Sequence, residues 1–87
     1  HKELVKLLIK KGAHINEEEK DGFTALMLGS QNGHEEIVKL LTEKGADIDA
    51  KNILNQTSLM IASKNGHTKI VKLLIEEGAN VNEKDNN

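Results

Sequence analysis

An all-α solenoid is the fold the sequence predicts, with helix-turn-helix units stacked side by side and hairpin-like finger loops between them. Three observations carry that prediction. Gly12, Gly45 and Gly78 are each followed by Ala, and the spacing (45 − 12 = 33; 78 − 45 = 33) recurs at many other positions. Within each period, two short apolar stretches of helical spacing are separated by Gly and followed by a polar, turn-rich excursion. The 87 residues contain no Cys, so neither disulfides nor a second domain can help, and stacking between units must supply the core.

The period is dense: His1, His34 and His67; Val5, Val38 and Val71; Lys6, Lys39 and Lys72; Leu8, Leu41 and Leu74; Thr24 and Thr57; Asn32 and Asn65; Gly33 and Gly66 all obey it. It divides a single array, residues 1–87, into a partial repeat 1–18, full repeats 19–51 and 52–84, and the start of a further finger at 85–87. In the partial repeat, Leu4, Val5, Leu7 and Leu8 form a second helix whose first helix is absent. In the first full repeat, Thr24 is an N-cap for a helix through Ala25, Leu26, Met27 and Leu28, stopped at Asn32-Gly33. A second helix begins near His34 with Glu35 and Glu36 at its positive end. It turns Ile37, Val38, Leu40 and Leu41 inward and Lys39 outward, and ends at Lys44-Gly45. From Ala46 to Gln56, Asp47, Asp49, Asn52 and Asn55 supply turn chemistry in place of helix, giving a projecting finger. The second full repeat follows the same plan from Thr57. Terminal repeats ordinarily carry polar caps and neither end shows one, which predicts an array that continues on both sides.

These features together, Gly22-x-Thr24-x-Leu26, Gly33-His34, Ile37-Val38-x-Leu40-Leu41 and Gly45-Ala46-Asp47-Ile48-Asp49, resemble the ankyrin repeat, at about two and a half tandem copies over the whole chain. The family signature Thr-Pro-Leu-His stands here as Thr24-Ala25-Leu26-Met27 and Thr57-Ser58-Leu59-Met60. Ala25 and Ser58 can replace a Pro that only presets the first helical turn. The signature His ties neighbouring loops together, whereas Met27 and Met60 can only pack, which predicts less firmly fixed fingers. Gly29, where Ala62 stands in the next unit, should weaken its helix by about 0.5–1 kcal/mol.

Composition removes several function classes. Charged residues are mixed, the formal net charge is −2, and every basic residue is Lys, so the bidentate Arg contacts that read bases are missing and nucleic acid is not an expected partner. Apolar runs such as Leu7-Leu8-Ile9 are broken by Lys far short of the roughly 20 residues of a membrane span. No membrane partner is expected, and the absence of Cys fits an intracellular, cytoplasmic setting.

Candidate catalytic groups have simpler explanations. His34 and His67 recur at a helix start, where a ring bonds backbone groups, and no ligand lies at metal spacing, so neither a metal nor another cofactor is expected. His14, out of phase, is a turn residue. Ser30 and Ser63 occupy a position that packing explains, and the Gly residues are spread along the repeat and form no phosphate loop. Asn55-Gln56-Thr57 matches a glycosylation acceptor, but Asn55 replaces Gly22 where positive φ is needed and Thr57 is a helix cap. The Lys6, Lys39 and Lys72 column reads as a solvated outer face. No enzymatic activity is expected.

Residues that break the repeat at finger positions are more informative. Phe23, the only aromatic, stands opposite Gln56, while Ile53 and Leu54 stand opposite Lys20 and Asp21. The resemblance implies a concave groove of finger tips and inner helices for a protein or peptide partner. On this chain it would comprise Lys20, Asp21, Phe23, Gln31, Asn32, Ile53, Leu54, Gln56, Lys64 and Asn65. Burial of Phe23 against its own helix stays open as an alternative. So does a reading of the segment as a spacer or targeting part of a longer protein, and one in which uncapped repeat ends self-associate.

Overall fold

The computed structural model describes residues 15–82. The readings of His1, His14, Leu4, Val5, Leu7 and Leu8, and of the finger at 85–87, fall outside the described residues. Four helices follow a short turn at Lys20–Gly22: α1 (Ala25–Asn32), α2 (Glu35–Glu43), α3 (Ser58–Lys64) and α4 (Thr68–Glu76). No strand occurs among the described residues.

Each inner helix starts in the same way. The Thr24 and Thr57 hydroxyls accept the N–H of Met27 and Met60, both at 3.3 Å, which satisfies one of the orphan donors of each first turn. The helices end alike too. The residue after each terminating Gly donates to the carbonyl five residues back: His34 to Gly29, Ala46 to Leu41, His67 to Ala62 and Ala79 to Leu74, at 2.9–3.0 Å. That closure needs the preceding residue in the left-handed region, where Gly33 and Gly66 both sit at φ 73.

Burial decides which faces meet. The inner helix α1 is enclosed on most sides, with Leu26, Met27, Gly29 and Ser30 buried, because it packs against both α2 and α3. The outer helices are one-sided: α2 buries Ile37, Val38 and Leu41 and α4 buries Ile70 and Leu74, leaving Lys39 and Lys72 exposed. Leu26, Ile37, Val38, Leu41, Ala62, Ile70 and Leu74 form one cluster drawn from both units. Neither helix pair encloses its apolar stripe alone. Met27 is 0% exposed, whereas its counterpart Met60 is half-buried, and Ser30 is covered while Ser63 is exposed. The sequence reading that Ser63 packs inside is therefore corrected. α1 packs against α3, whereas α3 packs on no further inner helix among the described residues.

Polar contacts repeat across the junction between units. The Asn16 side chain accepts the Asp47 N–H at 2.6 Å and Asp49 accepts the Asn80 N–H at 2.9 Å, both pairs in register at the finger roots. His67 crosses the junction that Asp49 and Asn80 also bridge: its Nε2 lies 3.0 Å from the Gln31 carbonyl, which can only accept, so Nε2 carries the hydrogen. The ring rests on Gly33, where a Cβ would come within 2.8 Å of Cε1. The repeat-phased histidine thus clamps one helix pair to the turn of the previous one.

Candidate functional site

The candidate surface is built on the two fingers. Both share one backbone plan: Glu19 N–H donates to Phe23 O at 2.7 Å and Gly22 N–H to Glu19 O at 3.0 Å, matched by Asn52 to Gln56 at 3.1 Å and Asn55 to Asn52 at 2.9 Å. Positive φ recurs where the repeat requires it, +79 at Gly22 and +62 at Asn55. Asn tolerates that region best after Gly, which explains the exchange. The tips then diverge. Asp21 is also left-handed, at φ 65, an option open to Asp but costly for Leu, and Leu54 at the matching position is not left-handed.

Side chains hold the second finger from within. Asn52 is 5% exposed. Its Oδ1 accepts the N–H groups of Leu54 (2.9 Å) and Gln56 (3.0 Å), and its Nδ2 donates to Gln56 Oε1 at 3.0 Å. The repeat-matched Glu19 is exposed. Met27 and Met60 make no tie between loops of the kind expected of the signature His, and the bonds of Asn52 brace its own finger from within. A further main-chain bond, Ile53 N–H to Asp21 O at 2.9 Å, joins the two turns. Gly22 permits that approach, since a Cβ there would lie 3.1 Å from Asn52 Cα.

Among the residues singled out from sequence, Ile53 (63% exposed) and Leu54 (52%) stand out in solvent, as expected. Lys20 and Asp21 are exposed beside them, and Gln31, Asn32, Lys64 and Asn65 are exposed at the ends of α1 and α3. Asn32 and Asn65 also serve their own helices, each donating its amide to a carbonyl four residues back, Leu28 O at 2.9 Å and Ile61 O at 2.8 Å. Phe23 is half-buried and outside the central cluster. Gln56 is a correction. It is 8% exposed and its amide is taken by Asn52, so it is a brace inside the finger and offers no contact surface. Sequence reasoning credited Asn52 with turn chemistry alone. The signal it held was an Asn four residues before a Gln in a finger, a spacing that lets two amides pair across the turn.

Two open depressions, about 350 and 230 Å³, lie at the starts of α2 and α4. They are lined by Gly33, His34 and Glu35, and by Gly66, His67 and Lys69. His67 there is already committed to Gln31 O. Among the described residues no group of three or more His, Asp or Glu is placed to hold a metal, and no helix is long and apolar enough to cross a membrane.

The family model for ankyrin repeats, in three copies, matches residues 1–85. The chain belongs to the ankyrin repeat family. A search of curated proteins gave no match. Ankyrin repeats are in general protein–protein interaction modules and typically non-catalytic. In the ankyrin frame, Thr24 and Thr57 are the caps of the signature and His34 and His67 open the outer helices. The residues that depart from the repeat, Ile53 and Leu54, are exposed, whereas those that keep it are mostly spent on the fold.

Proposed function

We propose that this chain is a non-catalytic interaction module that presents a groove of finger tips and inner-helix ends to a protein or peptide. The contact set is Lys20, Asp21, Phe23, Gln31, Asn32, Ile53, Leu54, Lys64 and Asn65. The observation that carries the reading is the exposure of Ile53 and Leu54 on a turn whose N–H groups from Asn52 to Gln56 are all bonded within the two fingers. Mechanically, the stack fixes the groove before binding, so a partner meets an ordered surface and association loses little entropy on this side.

Capture from extracts of the host cell by the immobilised chain tests it. Gln31→Trp with Lys64→Trp, which block the groove sterically whatever the sign of the partner's charge, should abolish retention of the captured protein, while Lys39→Trp with Lys72→Trp on the outer helices should leave it unchanged. Equal loss from both pairs would exclude the groove as the contact face.

A further inference from the structure

We propose that the paired finger turns dock a short basic segment of a partner protein. One aliphatic or aromatic side chain of the segment seats on Ile53 and Leu54, and neighbouring Lys or Arg side chains lie over the carboxylates of the preceding finger. The inference rests on the interaction-module reading and names the chemistry of the partner.

The turn does not need apolar residues. The Leu54 N–H is bonded to Asn52 Oδ1 and the Ile53 N–H to Asp21 O, and both bonds leave the side chains at 53 and 54 unconstrained. The preceding finger fills the same two positions with Lys20 and Asp21. Ile53 and Leu54 are nevertheless 63% and 52% exposed, so folding removes only part of their apolar surface from water, and an occupant from outside would cover the rest.

Charge selects the occupant. Residues 17–21 carry four carboxylates and one ammonium (4 − 1 = 3 negative), whereas residues 51–55 carry one Lys and no acid. Glu18, Glu19 and Asp21 are exposed. The bond between Asp21 O and Ile53 N–H, with the close approach at Gly22, fixes the acidic turn directly against the apolar one. A hydrophobic anchor with a rim of one sign favours partners of the opposite sign and rejects acidic ones.

The test selects a random phage-displayed peptide library on the intact chain and measures the affinities of the synthesised winners by fluorescence anisotropy. Winners should combine a large apolar residue with Lys or Arg. Affinity should fall at least about tenfold, ~1.4 kcal/mol, in Ile53→Ser/Leu54→Ser. The same loss is expected in Glu18→Gln/Glu19→Gln/Asp21→Asn, which keeps a residue tolerant of positive φ at 21. All five positions are exposed, so thermal melts of the variants should match the parent. Winners without basic residues, an affinity indifferent to either variant, or no enrichment at all would overturn the proposal. If binding is lost with Gln31→Trp/Lys64→Trp alone, the module reading stands and this inference falls. A dimer that Leu54→Ser dissolves would also overturn it, by assigning the patch to a second copy.

Discussion

Replacing Asn52 with Ala removes three hydrogen bonds from one finger and nothing from the helical core. The Gln56 N–H, buried with its residue at 8% exposure, loses its acceptor at 3.0 Å, and stranding a buried donor costs about 1–3 kcal/mol. The Leu54 N–H loses a 2.9 Å bond at a partly buried site, worth about 0.5–1.5 kcal/mol. Gln56 can turn its own amide toward water, so the third bond adds little. A total of about 1.5–4.5 kcal/mol follows from these two contributions. Urea unfolding followed by far-UV circular dichroism suits a chain with no Trp and no Tyr, and the loss should appear as a lower midpoint at an unchanged slope. Asn52→Asp keeps both acceptor contacts and lets a turned Gln56 amide donate to the carboxylate, so despite burying a charge it should lose less than Asn52→Ala. Glu19→Ala, at the matching exposed position of the other finger, should change stability by no more than about 0.5 kcal/mol. If Asn52→Ala proves as mild as Glu19→Ala, the bonding assigned to Asn52 does not hold the finger, and the reasoning fails.

Gly29→Ala should stabilise by about 0.5–1 kcal/mol in the same assay. Its Cβ would lie 3.3 Å from Val38 Cγ2, a small encroachment that the next unit already absorbs with Ala62 against the matching Ile70 and Val71; a net loss would show that the two units pack differently. Gly22→Val should destabilise by at least about 2 kcal/mol, because a Cβ at φ +79 meets the backbone of Asn52 at 3.1 Å. A variant as stable as the parent would deny the close contact between fingers. His67→Ala should lose about 1 kcal/mol with the bond to Gln31 O, and hydrogen exchange should quicken at the start of α4 and around Gly33. Unaltered exchange at Gly33 would remove the clamp.

Much of the fold was legible because a repeat states each structural requirement more than once. Thr24 with Thr57, and Gly33 with Gly66, are caps and stops whose roles follow from local backbone chemistry, and the structure uses them as such. Asn55 was legible for the same reason, as the residue that best replaces Gly at positive φ. Burial that depends on a neighbour was less so. Ser63 carries the same local pattern as Ser30 and differs only in what lies over it, which no local signal records. Gln56 was misread because a polar residue in a finger looks solvent-facing until its partner is known, and that partner, Asn52, has no counterpart at Glu19. The exposure of Ile53 and Leu54 could be read from sequence because a break in the repeat frees a position from the needs of stacking.

Native-state hydrogen exchange on Leu74→Ala probes most directly the claim that each helix pair completes the interior of the next. Leu74 is fully buried in the cluster shared by both units, and its truncation should cost about 2–5 kcal/mol. Protection in α1 and α2 should fall by the same free energy as in α3 and α4, since one cooperative core serves both pairs. Loss confined to α3 and α4, with α1 and α2 as protected as before, would mean that the pairs fold independently and would contradict the account.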